Sequence, residues 1–224
     1  MGRAGGDGTE SGSLTGPGEA RLVAPLPRLM LVTDRLETRG RDLVDVVEAA
    51  VAGGVGLVQV RERDLSEAEV EALLRRILDR LRGTGVELLV NGHPALALML
   101  GVGLHLPASA PPLASPHPSL CGRAVHDEAE ARQALAETAS YVVVGPVFPT
   151  GSKPGHPGAG LERLSRLARL VAPMPVFAIG GLTAERVAFV MGAGAHGVAV
   201  RSAILGAPRP ERAARSFAEA LSQV

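Results

Sequence analysis

Two short segments near the end of the chain carry its most legible chemistry. Pro175 to Gly181 reads Pro-Val-Phe-Ala-Ile-Gly-Gly, and Gly197 to Ser202 reads Gly-Val-Ala-Val-Arg-Ser. Each is an apolar run that stops at bare backbone or a hydroxyl. The amides of Gly180, Gly181, Arg201 and Ser202 suit an anion, and two successive parallel strands ending this way form the usual phosphate cradle of an eight-fold α/β barrel. A tight turn that needs small residues is the plainer account of Gly180-Gly181.

Other polar residues fall just past the ends of earlier apolar runs. Gln59, Arg61 and Arg63 alternate, so all three can face one pocket; a solvated cluster with Glu62 and Asp64 is the alternative. Thr33 and Asp34 close the first run, Asn91 the third, and His126 follows the fifth. A histidine there can take and give protons near neutral pH, or can serve as a hydrogen-bonding wall. Thr150, Ser152 and Lys153 lie in a Gly-rich segment, Gly145 to Gly155, which can be read as an anion-closing loop or as a flexible loop alone. Lys153 is the only lysine and Asn91 the only asparagine. Their survival in an arginine-rich chain suggests that Arg or Asp would not serve there. His105 lies inside the fourth run and reads as a satisfied core residue. No spaced His or Cys pair appears, and no metal site is expected.

These residues need elements to hold them. Strands are expected at Arg28–Thr33, Leu57–Val60, Val86–Val90, Val102–Leu106, Leu120–Val125, Tyr141–Val144 and in the two opening segments. Helices are expected at Asp42–Ala52, from Ser66 through Leu81, and at Ala95–Leu100, Asp127–Glu137, Leu161–Val171, Ala184–Met191 and Glu211–Ser222. Ser66 with Glu69 makes a capping box. Pro107 to Pro118 is too proline-rich for a full helix, so the fourth unit is shortened. The runs are continuously apolar, as in strands covered on both faces. A doubly wound sheet would put its glycines after the first strand, where this chain has Thr33-Asp34-Arg35. The expectation is a single (β/α)8 TIM barrel over residues 26–224, behind a disordered polar lead at 1–25.

Composition narrows the classes. The 224 residues fit one barrel, and 46% hydrophobic content can fill it. Formal net charge is zero, so nucleic acid is not an expected partner. No apolar run is long enough to span a membrane, and one cysteine, Cys121, excludes a disulfide framework. No signal peptide is visible, and the expected location is cytoplasmic. The sequence leaves a homo-oligomer open.

Together these segments resemble the thiamine phosphate synthase and thiazole tautomerase (TenI-like) superfamily, over nearly all of the chain after residue 27. The motifs are Leu31-Val-Thr-Asp34, Val58-Gln-Val-Arg-Glu-Arg63, Val90-Asn-Gly92, Gly122-Arg-Ala-Val-His126, Gly145 to Lys153, Ala178-Ile-Gly-Gly181 and Ala199-Val-Arg-Ser202. The resemblance implies the thiamine phosphate synthase type of barrel and a phosphorylated thiazole substrate. The synthase branch joins a pyrimidine pyrophosphate to a thiazole phosphate with magnesium held by two aspartates. At those places this chain has Gly92 and Pro107-Ala-Ser-Ala-Pro111, with Ala124 for a pyrophosphate-binding serine and Arg63 for a lysine. The tautomerase branch is similar to this chain at the same places, and moves a proton without metal to aromatise a thiazole carboxylate phosphate. It implies His126 as the acid–base group, a carboxylate oriented by Arg61 with Gln59 and Asn91, and Thr150, Ser152 and Lys153 closing over the phosphate. The alternatives are a synthase holding magnesium through Asp34 or Asp64, and a non-catalytic barrel that binds thiazole phosphate.

Overall fold

The computed structural model describes Met1 and residues 26–113, 115–150 and 158–224. The polar lead, Ser152 and Lys153 lie outside the described residues. Eight parallel strands close in sequence order: β1 (Leu29–Val32), β2 (Leu57–Val60), β3 (Glu87–Asn91), β4 (Gly103–Leu106), β5 (Cys121–Val125), β6 (Tyr141–Val144), β7 (Val176–Ile179) and β8 (Gly197–Val200), with β8 pairing back to β1. The helices are α1 (Leu43–Ala52), α2 (Glu67–Arg80), α3 (Pro94–Leu100), α4 (Glu128–Ala136), α5 (Gly160–Val171), α6 (Val187–Gly192), α7 (Ser202–Leu205) and α8 (Pro210–Ser222). Among the described residues none is long and apolar enough to cross a membrane.

Local chemistry sets the helix starts. The Ser66 hydroxyl accepts from the Glu69 amide while the Glu69 carboxylate takes the Ser66 amide, the reciprocal cap expected for α2. Asp42 and Asp127 stand one residue outside their helices rather than inside, because each side chain caps the first turn. The helix expected at Ala184–Met191 begins as a turn of 3-10 helix, Ala184–Arg186, before α6. Between β4 and β5 no helix forms among the described residues, which leaves the shortened unit expected from the prolines.

Side-chain parity divides every strand. Met30, Leu57, Leu89, Tyr141, Phe177 and Ala199 fill the barrel, while the alternate residues pack under the helices. Each fully buried Leu, Val or Phe contributes about 1.5–3 kcal/mol of burial free energy. Tyr141 and Phe177 meet edge to face at 5.5 Å. Gly122 makes room for the phenol, since a Cβ there would stand 2.1 Å from Tyr141 Cζ.

Candidate active site

A cavity of about 690 Å³ opens at the C-terminal ends of the strands. Its floor takes one residue from each strand: Val32, Gln59, Asn91, His105, Ala124, Val143, Ile179 and Ala199, from β1 to β8. Each is the last inward-facing residue of its strand. The polar members sit side by side on β2, β3 and β4. Asn91 Nδ2–H donates to Gln59 Oε1 at 3.0 Å. His105 Nδ1 lies 3.1 Å from the Tyr141 hydroxyl. Burial, then the charges of Arg61 and Arg123, push the His105 imidazole down to about 3, so it is neutral at ordinary pH. Burial also raises the Tyr141 phenol well above its usual value. The floor is therefore uncharged, polar across β2, β3 and β4 and apolar elsewhere.

The rim is basic. Arg61, Arg63 and Arg201 all line the cavity. Burial, followed by the like charges of Arg63 and Arg201, lowers Arg61 from its ordinary value of 12.5. An arginine in that field gains by meeting an anion. Strand alternation sends Glu62 the other way. Its carboxylate accepts from the Thr33 hydroxyl at 2.6 Å and the Arg35 amide at 3.0 Å, and Thr33 Oγ1 accepts from the Arg61 amide at 3.0 Å. Asp64 pairs with Arg35 at 2.7 Å. The charged run is thus neither wholly solvated nor wholly in the site: its arginines face the cavity and its acids tie β2 to the end of β1.

His126 follows β5 at the rim. Its Nδ1 lies 3.0 Å from Glu130 Oε2, which also accepts the His126 amide at 2.5 Å. Asp127 accepts from the Glu130 amide at 2.9 Å, so the first turn of α4 carries Glu130 back over the imidazole. An ionised carboxylate only accepts, so the imidazole meets Glu130 through an Nδ1–H donor, and Nε2 is the ring nitrogen this contact does not use.

The opposite rim is backbone. Gly180 and Gly181 have φ of 99° and 63°. A Cβ on Gly180 would stand 2.5 Å from Pro146 Cβ, and one on Gly181 2.4 Å from the Pro149 carbonyl oxygen. The turn needs glycine, which the plainer reading of this pair supplies, and the pair also lines the cavity. Val147 and Phe148 amides donate to the carbonyls of Ile179 and Gly180 at 2.8 and 3.1 Å, which carries Thr150 to the rim. Arg186 donates to the Gly181 carbonyl and lies 4.8 Å over the Phe148 ring. Ser202 opens α7, whose first amides have no partner within the helix.

The cavity therefore gathers Gln59, Arg61, Arg63, Asn91, His126, Thr150, Gly180, Gly181, Arg201 and Ser202. Thr33 and Asp34, expected at the mouth, are not on its lining. Val32 faces the cavity at the end of β1, so alternation turns the next residue, Thr33, outward to Glu62. Asp34 caps a turn of 3-10 helix and pairs with Arg201 at 3.5 Å. His105 and Glu130 join the lining unforeseen. Strand alternation from Gly103 could have placed His105 inward, and the His-x-x-x-Glu spacing at the start of α4 could have flagged Glu130.

The thiamine monophosphate synthase family model matches residues 29–204. The chain belongs to that family. It is 37% identical to a thiamine-phosphate synthase of Roseiflexus castenholzii, over 94% of this chain and 98% of the relative. It is 39% identical to a thiamine-phosphate synthase of Thermus thermophilus, over 86% and 95%. A thiamine phosphate pyrophosphorylase structure from Pyrococcus furiosus matches with TM-score 0.77 and 26% identity, over 88% of this chain and 96% of that one. Family membership establishes the barrel type and a place in thiamine biosynthesis. The relatives' names agree with the synthase alternative rather than with the tautomerase.

The cavity offers few groups that could hold magnesium. Glu130 is its only carboxylate among the described residues, and His126 engages it. Asp34 and Asp64, the ligands of the synthase alternative, are off the lining and paired with Arg201 and Arg35. No group of three or more His, Cys, Asp or Glu that could hold a metal ion occurs among the described residues. This donor set does not fit a divalent ion that binds through carboxylates.

Proposed function

We propose that this family member is an isomerase, a thiazole tautomerase that aromatises a thiazole carboxylate phosphate by proton transfer. The observation that carries this reading is the charge of the cavity among the described residues: three arginines at the rim, one carboxylate bound to a histidine, and an uncharged floor. A substrate with an anion at each end and an uncharged ring between them matches that distribution. The phosphate would rest on the backbone of Gly180, Gly181, Arg201 and Ser202, with Thr150, Ser152 and Lys153 closing over it. Arg61 and Arg63 would take the carboxylate, with Gln59 and Asn91 beside the ring. His126 Nε2 removes a ring proton and returns one to the exocyclic carbon, so the reaction is balanced without a co-reactant. Anchoring the remote phosphate supplies binding energy that positions the ring against the base.

Replacing His126 by Asn tests this. General acid–base groups typically contribute about 10²–10⁴-fold, so turnover of the carboxylate tautomer should fall by that range with KM within about threefold. Undiminished turnover removes His126 from the reaction. A specific observation favours a second reading: relatives at 37% and 39% identity are named thiamine-phosphate synthase. Under it the same cavity would join two substrates and need a metal brought with pyrophosphate.

A further inference from the structure

Arg123 is the largest side chain wholly buried in the barrel wall, and neither reading above uses it. It sits on β5 between Gly122 and Ala124, so alternation points it outward, toward the place where the other units carry a helix. Among the described residues the fourth unit has none there. Its proline-rich segment has carbonyls with no helical ladder to enter, and buried carbonyls need donors. Arg123 supplies them. Nη1 donates to the carbonyls of Ala110 at 3.0 Å and Ala108 at 3.4 Å, and Nη2 to that of Pro111 at 2.8 Å. Nε and Nη2 pair with both Glu137 oxygens, at 2.9 and 3.1 Å. Gln133 donates to Glu137 at 2.8 Å and completes the network. The other face of the same segment is cavity wall: Pro107, Ala108 and Ser109 line it.

We infer that Arg123, held by Glu137, is a positioning residue that stands in for the absent helix and fixes the Pro107–Pro111 wall of the cavity. An apolar side chain would fill the layer as well as an arginine does. Only a multi-donor fork can hold three loop carbonyls and a carboxylate together. The wall, and with it the width of the cavity beside the β4 floor residue His105, depends on this pair.

The test compares the full chain with three variants: Arg123→Lys, Glu137→Gln, and the double variant Arg123→Met/Glu137→Leu. The double variant replaces a buried ion pair by apolar side chains, a change that often preserves or raises stability. It therefore keeps the barrel while removing the donors. Hydrogen exchange read by mass spectrometry should show the Ala110 amide, which donates to the Pro107 carbonyl at 3.0 Å, exchanging at least tenfold faster in the double variant, with β5 and β6 still protected. Unchanged exchange at Ala110 in the folded double variant overturns the inference. Kinetics give a second readout, which rests on the tautomerase reading: KM should rise about tenfold with kcat within about threefold, and Arg123→Lys and Glu137→Gln should fall between the two. A fall in kcat alone, with KM unmoved, contradicts a wall-positioning role. If the unaltered protein lacks tautomerase activity, the functional reading fails while the exchange measurement still decides the role of Arg123.

Discussion

His105 is the residue whose environment makes the sharpest pH statement. Its value in the fold is about 3, against 6.5 for the free side chain. Between those values the unfolded chain takes up a proton that the fold refuses. Stability should therefore be full above pH 6.5 and fall as pH drops through the window, by about 1.4 kcal/mol per unit. Urea unfolding at pH 7 and pH 5.5 should show this loss, and His105→Gln should flatten it. A parallel loss in both proteins would place its origin elsewhere. Cys121 behaves oppositely: burial raises its thiol to about 11, so it should resist thiol reagents in the folded protein.

Elements hold the site through their ends. Gly181 occupies a left-handed conformation under the Pro149 carbonyl, so Gly181→Ala must strain the turn by at least about 1 kcal/mol. Calorimetry should find inorganic phosphate bound several-fold more weakly by this variant; equal affinity would move the phosphate off this turn. Far from the cavity, Ser66→Ala removes the α2 cap and should cost about 1 kcal/mol in a urea titration, without a change in phosphate binding. The strands were legible because parallel strands buried on both faces read as unbroken apolar runs, and α2 because its cap is written in Ser66 and Glu69. Thr33 was not legible because a continuously apolar run does not say which parity faces inward, and with Val32 on the cavity floor alternation turns Thr33 outward. Glu130 stayed hidden because a glutamate in the first turn of a helix is ordinary, and only the fold brings it over His126. The turn at α7 is too short to leave a periodic signal.

The whole molecule divides its labour by face. The barrel interior below the cavity is filled by Tyr141, Phe177 and Leu89, and exposed ion pairs such as Arg80 with Asp45 and Glu48 contribute little to stability. The candidate site lies at the strands' C-terminal ends, floor and rim together, and family membership leaves two chemistries open for it. One assay separates them. The purified chain is given the thiazole carboxylate phosphate tautomer with a metal chelator, and in parallel the pyrimidine pyrophosphate and thiazole phosphate with magnesium. Aromatisation undiminished by the chelator, with no thiamine phosphate formed, is the result expected of a cavity lined by arginines and a single histidine-bound glutamate. Thiamine phosphate formed with magnesium, and no conversion of the tautomer, would contradict it.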